Sequence, residues 1–237
     1  VPDQEVAAWH HHTTDGVIES VAVLPSRPGD DDVYVLVRRT IGGVAKRYIE
    51  VLGHRWIPDL DEIEDAFYVD SGLSYAGAPA TVFSNLTHLE GQRVAILADG
   101  VVVSDGFTGT VYTVTGGSVT IPTAASVVHI GLPMPSADLE TLEIDVQGTG
   151  VRPLQKLVAS VVALLRTSRQ GFYIGPDADH LTRNRPEPWE AADDLVTQQT
   201  AVIVTNDWNP KGKFLLRHTD PLPFAIVGLV PQIEVGA

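Results

Sequence analysis

The sequence predicts an all-β protein: a mainly antiparallel β platform that carries an inserted β-sandwich or barrel. Three observations lead there. Apolar and polar residues alternate with period two over many short runs, glycine pairs and Asp-Gly steps separate those runs, and no cysteine is present to staple a smaller fold. Side chains along a strand point alternately to its two faces, so period-two alternation marks a strand with one face buried. A chain of 237 residues can bury a sizeable core unaided.

The elements follow in order. Ile18–Leu24 reads as a strand and is followed by a polar loop through Pro25, Pro28, Gly29, Asp30, Asp31 and Asp32. Val33–Arg39 and Val44–Val51 are the next two strands, joined as a hairpin through Ile41-Gly42-Gly43. Asp59–Phe67 crowds Asp61, Glu62, Glu64 and Asp65 into a short run, either one helical turn or an acidic linker, and a domain boundary is placed there. Residues 67–150 form the expected inserted sandwich or barrel. Its strands are Gln92–Leu97, Val101–Val103, Thr110–Val114, Ser118–Ile121 and Ser126–Leu132, with turns at Asp99-Gly100 and Gly116-Gly117.

Residues 154–168 satisfy two templates. Leu154, Leu157, Val158, Val161, Val162, Leu164 and Leu165 have helical spacing. The four valines, Ser160, Thr167 and the neighbouring Phe172-Tyr173-Ile174 favour a strand. On local grounds both readings stay open. Thr200–Thr205, Lys213–Arg217 and Phe224–Val235 read as strands, the first two joined by the loop 206–212. Residues 1–66 together with 151–237 make up the expected platform domain.

Charge bounds the function. The formal net charge is −14, unevenly spread. Residues 1–66 hold 13 acids and 6 bases, residues 67–150 hold 8 acids and the single base Arg93, and residues 151–237 balance 9 against 9. So acidic a chain has no footprint for gripping phosphate, although it can repel it. No run reaches the ~20 apolar residues of a membrane-spanning helix, and no basic segment leads into a secretory apolar core. The chain opens on Val1-Pro2, which reads as a fragment or a processed product.

Candidate chemistry is sparse. On a strand His10 and His12 share a face, and Asp15 completes a conceivable metal site, but no second ligand cluster accompanies them. Asp30-Asp31-Asp32 lacks the alternation and closing Glu of a calcium loop, and reads as a solvated hairpin tip. The same holds for Asp177, Asp179 and His180, and for Asp193-Asp194. No Gly-x-Ser-x-Gly elbow, phosphate-cradling glycine loop or nucleophilic cysteine occurs. Trp9, Trp56, Trp189 and Trp208 are widely separated and read as packing anchors before a sugar platform. The sequence therefore assigns no catalytic residue, no cofactor and no metal ligand.

Several runs, in this order, resemble one family. Ala8-Trp9-His10-His11-His12-Thr13-Thr14-Asp15-Gly16 followed by Ile18-Glu19-Ser20-Val21-Ala22-Val23 is similar to the last blade segment of the tail nozzle (tail tubular) proteins of short-tailed bacteriophages. Val37-Arg38-Arg39-Thr40-Ile41-Gly42-Gly43 and Arg47-Tyr48-Ile49-Glu50 continue that pattern. Leu86–Gly91, Val94–Gly100 and Val127–Pro133 resemble the family's hairpin insertion with an Asp-Gly turn. His218-Thr219-Asp220-Pro221-Leu222-Pro223-Phe224 with Ile226–Val235 resembles its closing strands. The resemblance covers most of the chain. It implies the C-terminal part of a longer nozzle protein, with 154–168 as a strand before the turn Ser168-Arg169-Gln170-Gly171.

It further implies a structural, non-enzymatic protein of the virion, assembled in the bacterial host cytoplasm as a homo-oligomeric ring around the DNA ejection path. The partners it implies are further copies of the chain, tail adaptor and fibre or needle proteins, and passing DNA without specific binding. No membrane insertion is expected. The alternative reading is a receptor- or carbohydrate-binding tail module. A surface-degrading tail enzyme, which needs two facing carboxylates, ranks behind it.

Overall fold

The computed structural model describes residues 12–26, 31–134, 137–144, 154–184 and 194–236. Among them are fifteen β-strands, two single-turn 3-10 segments (Ile63–Asp65 and Thr87–Leu89) and no α-helix. The protein is all-β, and its sheets are antiparallel and open. It divides into two compact units, Val1–Leu52 and Gly53–Ala237. That division groups 67–150 with 151–237, where composition had placed the boundary at the acidic run after Asp59.

The first unit is one three-stranded sheet of β1 (Val17–Leu24), β2 (Asp32–Ile41) and β3 (Val44–Val51), in that order. Gly42 and Gly43 turn the β2–β3 hairpin with φ of 58° and 79°, the left-handed pair that matches strand twist and that side chains resist. On one face Val37 and Ile41 are buried beside Arg39, only 1% exposed. Two parallel 2.7 Å hydrogen bonds to Glu50 satisfy that guanidinium, together with donation to the Thr14 hydroxyl and the Asp15 carbonyl.

The second unit begins with a sheet of β4 (Asp70–Phe83), β5 (Arg93–Ala98), β6 (Val101–Ser104), β7 (Tyr112–Thr113) and β8 (Val119–Leu132), ordered β4-β8-β5-β6 with β7 on β5. Leu86, Leu89, Val94, Ile96, Val128 and Ile130 lie at the centre of its core. The sheet does not close, so the barrel form of the expected insertion is not adopted. Ser118–Ile121 and Ser126–Leu132 are parts of the single strand β8, and β4 answers to no expected strand. The Asp99-Gly100 turn is as expected: Asp99 takes φ +46°, and its carboxylate accepts from the Ser126 and Val127 amides at 2.9 and 2.8 Å.

The remaining strands are β9 (Ala137–Glu140), β10 (Lys156–Ser168), β11 (Tyr173–Gly175), β12 (Thr182–Arg183), β13 (Val196–Ile203), β14 (Leu215–His218) and β15 (Ile226–Val235). They form two sheets, β13-β10-β15 and β12-β11-β14-β9. Between these lies a core of Val158, Val161, Ala163, Leu165, Phe172, Ile174, Val202, Phe214 and Leu216. Residues 154–168 thus contain a strand, as the resemblance implied, and the helical alternative falls. Leu222 packs with Ala66 and Leu97, which ties the C-terminal loop to the first sheet of this unit. Pro79 in β4 and Pro231 in β15 both sit on outermost strands.

Candidate functional site

Two runs picked out by resemblance meet in a polar junction. Arg169, just after β10, donates its Nε–H to Asp220 at 2.8 Å, with both groups buried. Arg183 reaches the same carboxylate at 3.3 Å and lies over the Tyr173 ring, 5.6 Å from its centroid. Gly171 borders this pair: an added Cβ would stand 3.2 Å from both Asp220 Oδ2 and Arg183 Nη2. Next to it, buried Asp105 caps its own turn by accepting from the Phe107 and Thr108 amides and the Thr108 hydroxyl. It also accepts from the Thr219 hydroxyl at 3.1 Å. Carboxylates satisfied this fully are rigid, so the junction locks the first sheet of the unit to the C-terminal sheets.

His218 completes the junction. Its ring stacks on Phe224, 4.5 Å between centroids and 5° from parallel. Burial pushes its pKa down to about 4, outweighing the pull of Asp220. No hydrogen bond reaches its buried Nε2 from the described residues. His129 is also held neutral, chiefly by burial. The Glu64 carbonyl accepts at 2.9 Å from Nε2, so Nδ1 carries no proton and accepts from the exposed Ser74 hydroxyl at 2.7 Å.

Outside these networks, sheet faces expose large apolar side chains: both faces of the first unit, where Val21 and Val23 on the Val37 side are 58% and 56% exposed, and the outer face of β13-β10-β15 in the second. Cross-strand partners share a face, which fixes the membership. In the first unit one face carries Leu36 opposite Ser20 and Ile49, then Tyr34 opposite Ala22 and Val51, then Asp32 opposite Leu24. At its other end Arg38 and Arg47 share Glu19, at 3.2 and 2.6 Å. Ile49 is 79% exposed. In the second unit, the outer face of β13-β10-β15 carries Leu157, Ser160, Val162 and Leu164, flanked by Gln199, Ala201 and Ile203 on one side and Gly228, Val230, Gln232 and Glu234 on the other. Ile203 is likewise 79% exposed. Inner-face neighbours such as Val161 and Val202 are buried, so the pleat separates core from solvent cleanly.

A cleft of about 820 Å³ lies in the second unit, lined by Glu140, Asp177, His180, Asn206, Asp207, Asn209, Lys211 and Lys213 among others. Asp177 and His180 pair at 2.7 Å on the surface, which raises the imidazole pKa and lowers that of the carboxylate. Lys156, wholly buried, anchors the cleft's loop by donating its Nζ to the Pro210 carbonyl at 2.6 Å, while its backbone brackets Asn209. Trp208 stands half-exposed on that loop, with Gly236 beside its ring.

The other sequence candidates disperse. His10, His11, Trp9, Asp30, Trp189 and Asp193 lie outside the described residues. Among the described residues no three His, Asp or Glu side chains are grouped to hold a metal ion. Trp56 packs with Ile63 and Leu222 and donates its ring N–H to the Glu62 carbonyl, an anchor as expected. No helix among the described residues is long and apolar enough to cross a membrane. Asp105, the Arg169–Asp220 pair and the apolar faces escaped the sequence reading, since their meaning depends on pairings between distant segments. No protein-family model matches this chain, and no curated protein matches it in sequence.

Proposed function

We propose that this chain is a structural subunit of a short phage tail, which joins copies of itself in a ring around the path of the ejected genome. The observation that carries this reading is the presence of exposed apolar sheet faces on a strongly acidic chain. A soluble protein gains nothing from presenting such side chains to water, and they suit burial against a neighbour. Net acidity supports the conduit role, because phosphate repelled from the walls does not stick. The rigid Arg169–Asp220 junction suits a part that serves by shape. Tail adaptor and fibre or needle proteins are the further partners of this reading.

Mass photometry of the purified chain and immunogold labelling of virions test it. Rings in solution and labelled tail tips are expected. Monomers alone at high concentration, with no label on virions, would overturn the reading.

The second reading, a carbohydrate-binding tail module, is favoured by one feature: the cleft lined by Asn206, Asp207 and Asn209, with Trp208 on its loop. Aromatic faces beside amide and carboxylate groups suit sugars. Glycan-array binding that Trp208→Ala abolishes would promote this reading over the first.

A further inference from the structure

We propose that the face of the β1-β2-β3 sheet that carries Leu36 and Ile49 packs onto the outer face of β13-β10-β15 in the next copy of the chain. The inference rests on the ring reading and names the contact that makes it. Each face is an apolar centre between charged ends. On the first, Leu36 and Ile49 lie between the Arg38, Arg47 and Glu19 cluster, which keeps one net positive charge, and Asp32 at the far end. On the second, Val162 and Ile203 lie between Arg166 and Glu234. Arg166, Glu234 and Asp32 make no ion pair among the described residues.

The spacing agrees. Arg166 is four residues beyond Val162 along β10, and Asp32 is four residues from Leu36 along β2. At the strand rise of about 3.3 Å per residue both separations are ~13 Å. Laying β2 over β10 with Leu36 on Val162 therefore brings Asp32 over Arg166. It also turns Glu234 toward the Arg38–Arg47 end, where long arginine side chains cover the remaining distance. Sheets stacked this way sit ~10 Å apart with their strands nearly aligned. The contact joins two different surfaces of one chain, so repeating it about an axis generates a ring, given a closing rotation. Stacking the β10 face on its own copy would also pair Arg166 with Glu234, yet it would stop at a dimer and leave Leu36 and Ile49 uncovered.

The chain has no cysteine, so introduced thiols report without background. Leu36→Cys and Val162→Cys chains are oxidised separately and mixed, and a double variant is oxidised alone, alongside mass photometry of the unaltered protein. Linked pairs in the mixture, little linkage in either single variant, and a ladder of linked copies from the double variant are expected. Arg166→Glu should lower the mixed yield about fivefold, and Asp32→Lys on the other chain should restore it.

A double variant that links only within itself overturns the proposal. So does Val162→Cys linking to itself as fully as the mixture, which would mark the two-fold dimer. If the unaltered protein forms rings yet the mixture does not link, this contact is wrong and the ring reading stands. If no rings form, both fall.

Discussion

Asp220→Asn tests whether the second unit is held rigid by a buried charge pair. The substitution keeps the shape of the side chain and removes the negative charge that Arg169 and Arg183 share. Arg169 and Asp220 are 6% and 1% exposed, so water cannot replace the lost partner. Breaking a buried ion pair from one side costs about 3–5 kcal/mol. In a chain of this size each kcal/mol moves Tm by about 2–4 °C, so a fall on the order of 10 °C is expected. Arg183 is more than a third exposed, so Arg183→Gln should cost no more than ~1 kcal/mol. Urea unfolding followed by tryptophan fluorescence measures both, with Trp56 reporting from the small core beside Leu222. The double change Arg169→Met with Asp220→Leu should recover much of the loss, because a paired removal leaves no stranded charge. An Asp220→Asn midpoint within ~1 kcal/mol of the parent, or an Arg183→Gln cost equal to it, would refute the reasoning.

Three further substitutions probe other buried contacts of the second unit. Asp105→Ala strands the buried Thr219 hydroxyl and three turn donors, and should cost about 2–4 kcal/mol by chemical denaturation. His218 has a folded pKa near 4 against 6.5, so the unfolded chain takes up its proton first as pH falls. Its contribution is intact above about pH 6.5 and is lost toward pH 4, on the order of 3 kcal/mol. His218→Phe should flatten that part of the stability–pH curve relative to the parent, and unchanged slopes would sink the assignment. Gly175→Ala forces a Cβ into the His180 backbone and should destabilise by about 1–3 kcal/mol, seen as a lower Tm.

Much of the fold was legible because burial alternates where one face is covered, as over Val37–Ile41 of β2, and because a strand covered on both faces, such as β5, reads as a short continuous apolar run. Residues 154–168 misled for a physical reason. A bulge near Ala159 shifts the inward set from Val158 to Val161, a step of three, and the outer Leu157, Val162 and Leu164 are apolar too. Together they imitate a helical stripe. β4 was invisible because Gly72, Gly77, Pro79 and several alanines erase alternation, and its register slips three times along β8. β8 looked like two strands because Pro122 interrupts it in a stretch where that pairing is already irregular. In the candidate site, Arg169 and Asp220 stand in the sequence only as members of longer runs. Their 51-residue separation leaves no local trace, and an arginine at a strand end is ordinary until its carboxylate is found. The apolar faces were hidden by the signal that revealed the strands, since alternation reports that residues differ in environment and not which environment is water.

The prolines on outermost strands bear on how association ends. Pro231 deprives β15 of one backbone donor, and Pro79 with the slipped register does the same for β4. Neither border can zipper smoothly to a like border on another molecule, so growth into endless fibrils is discouraged at both. Face-on contact makes no use of these two borders, and a curved stack of that kind can meet its own beginning and stop.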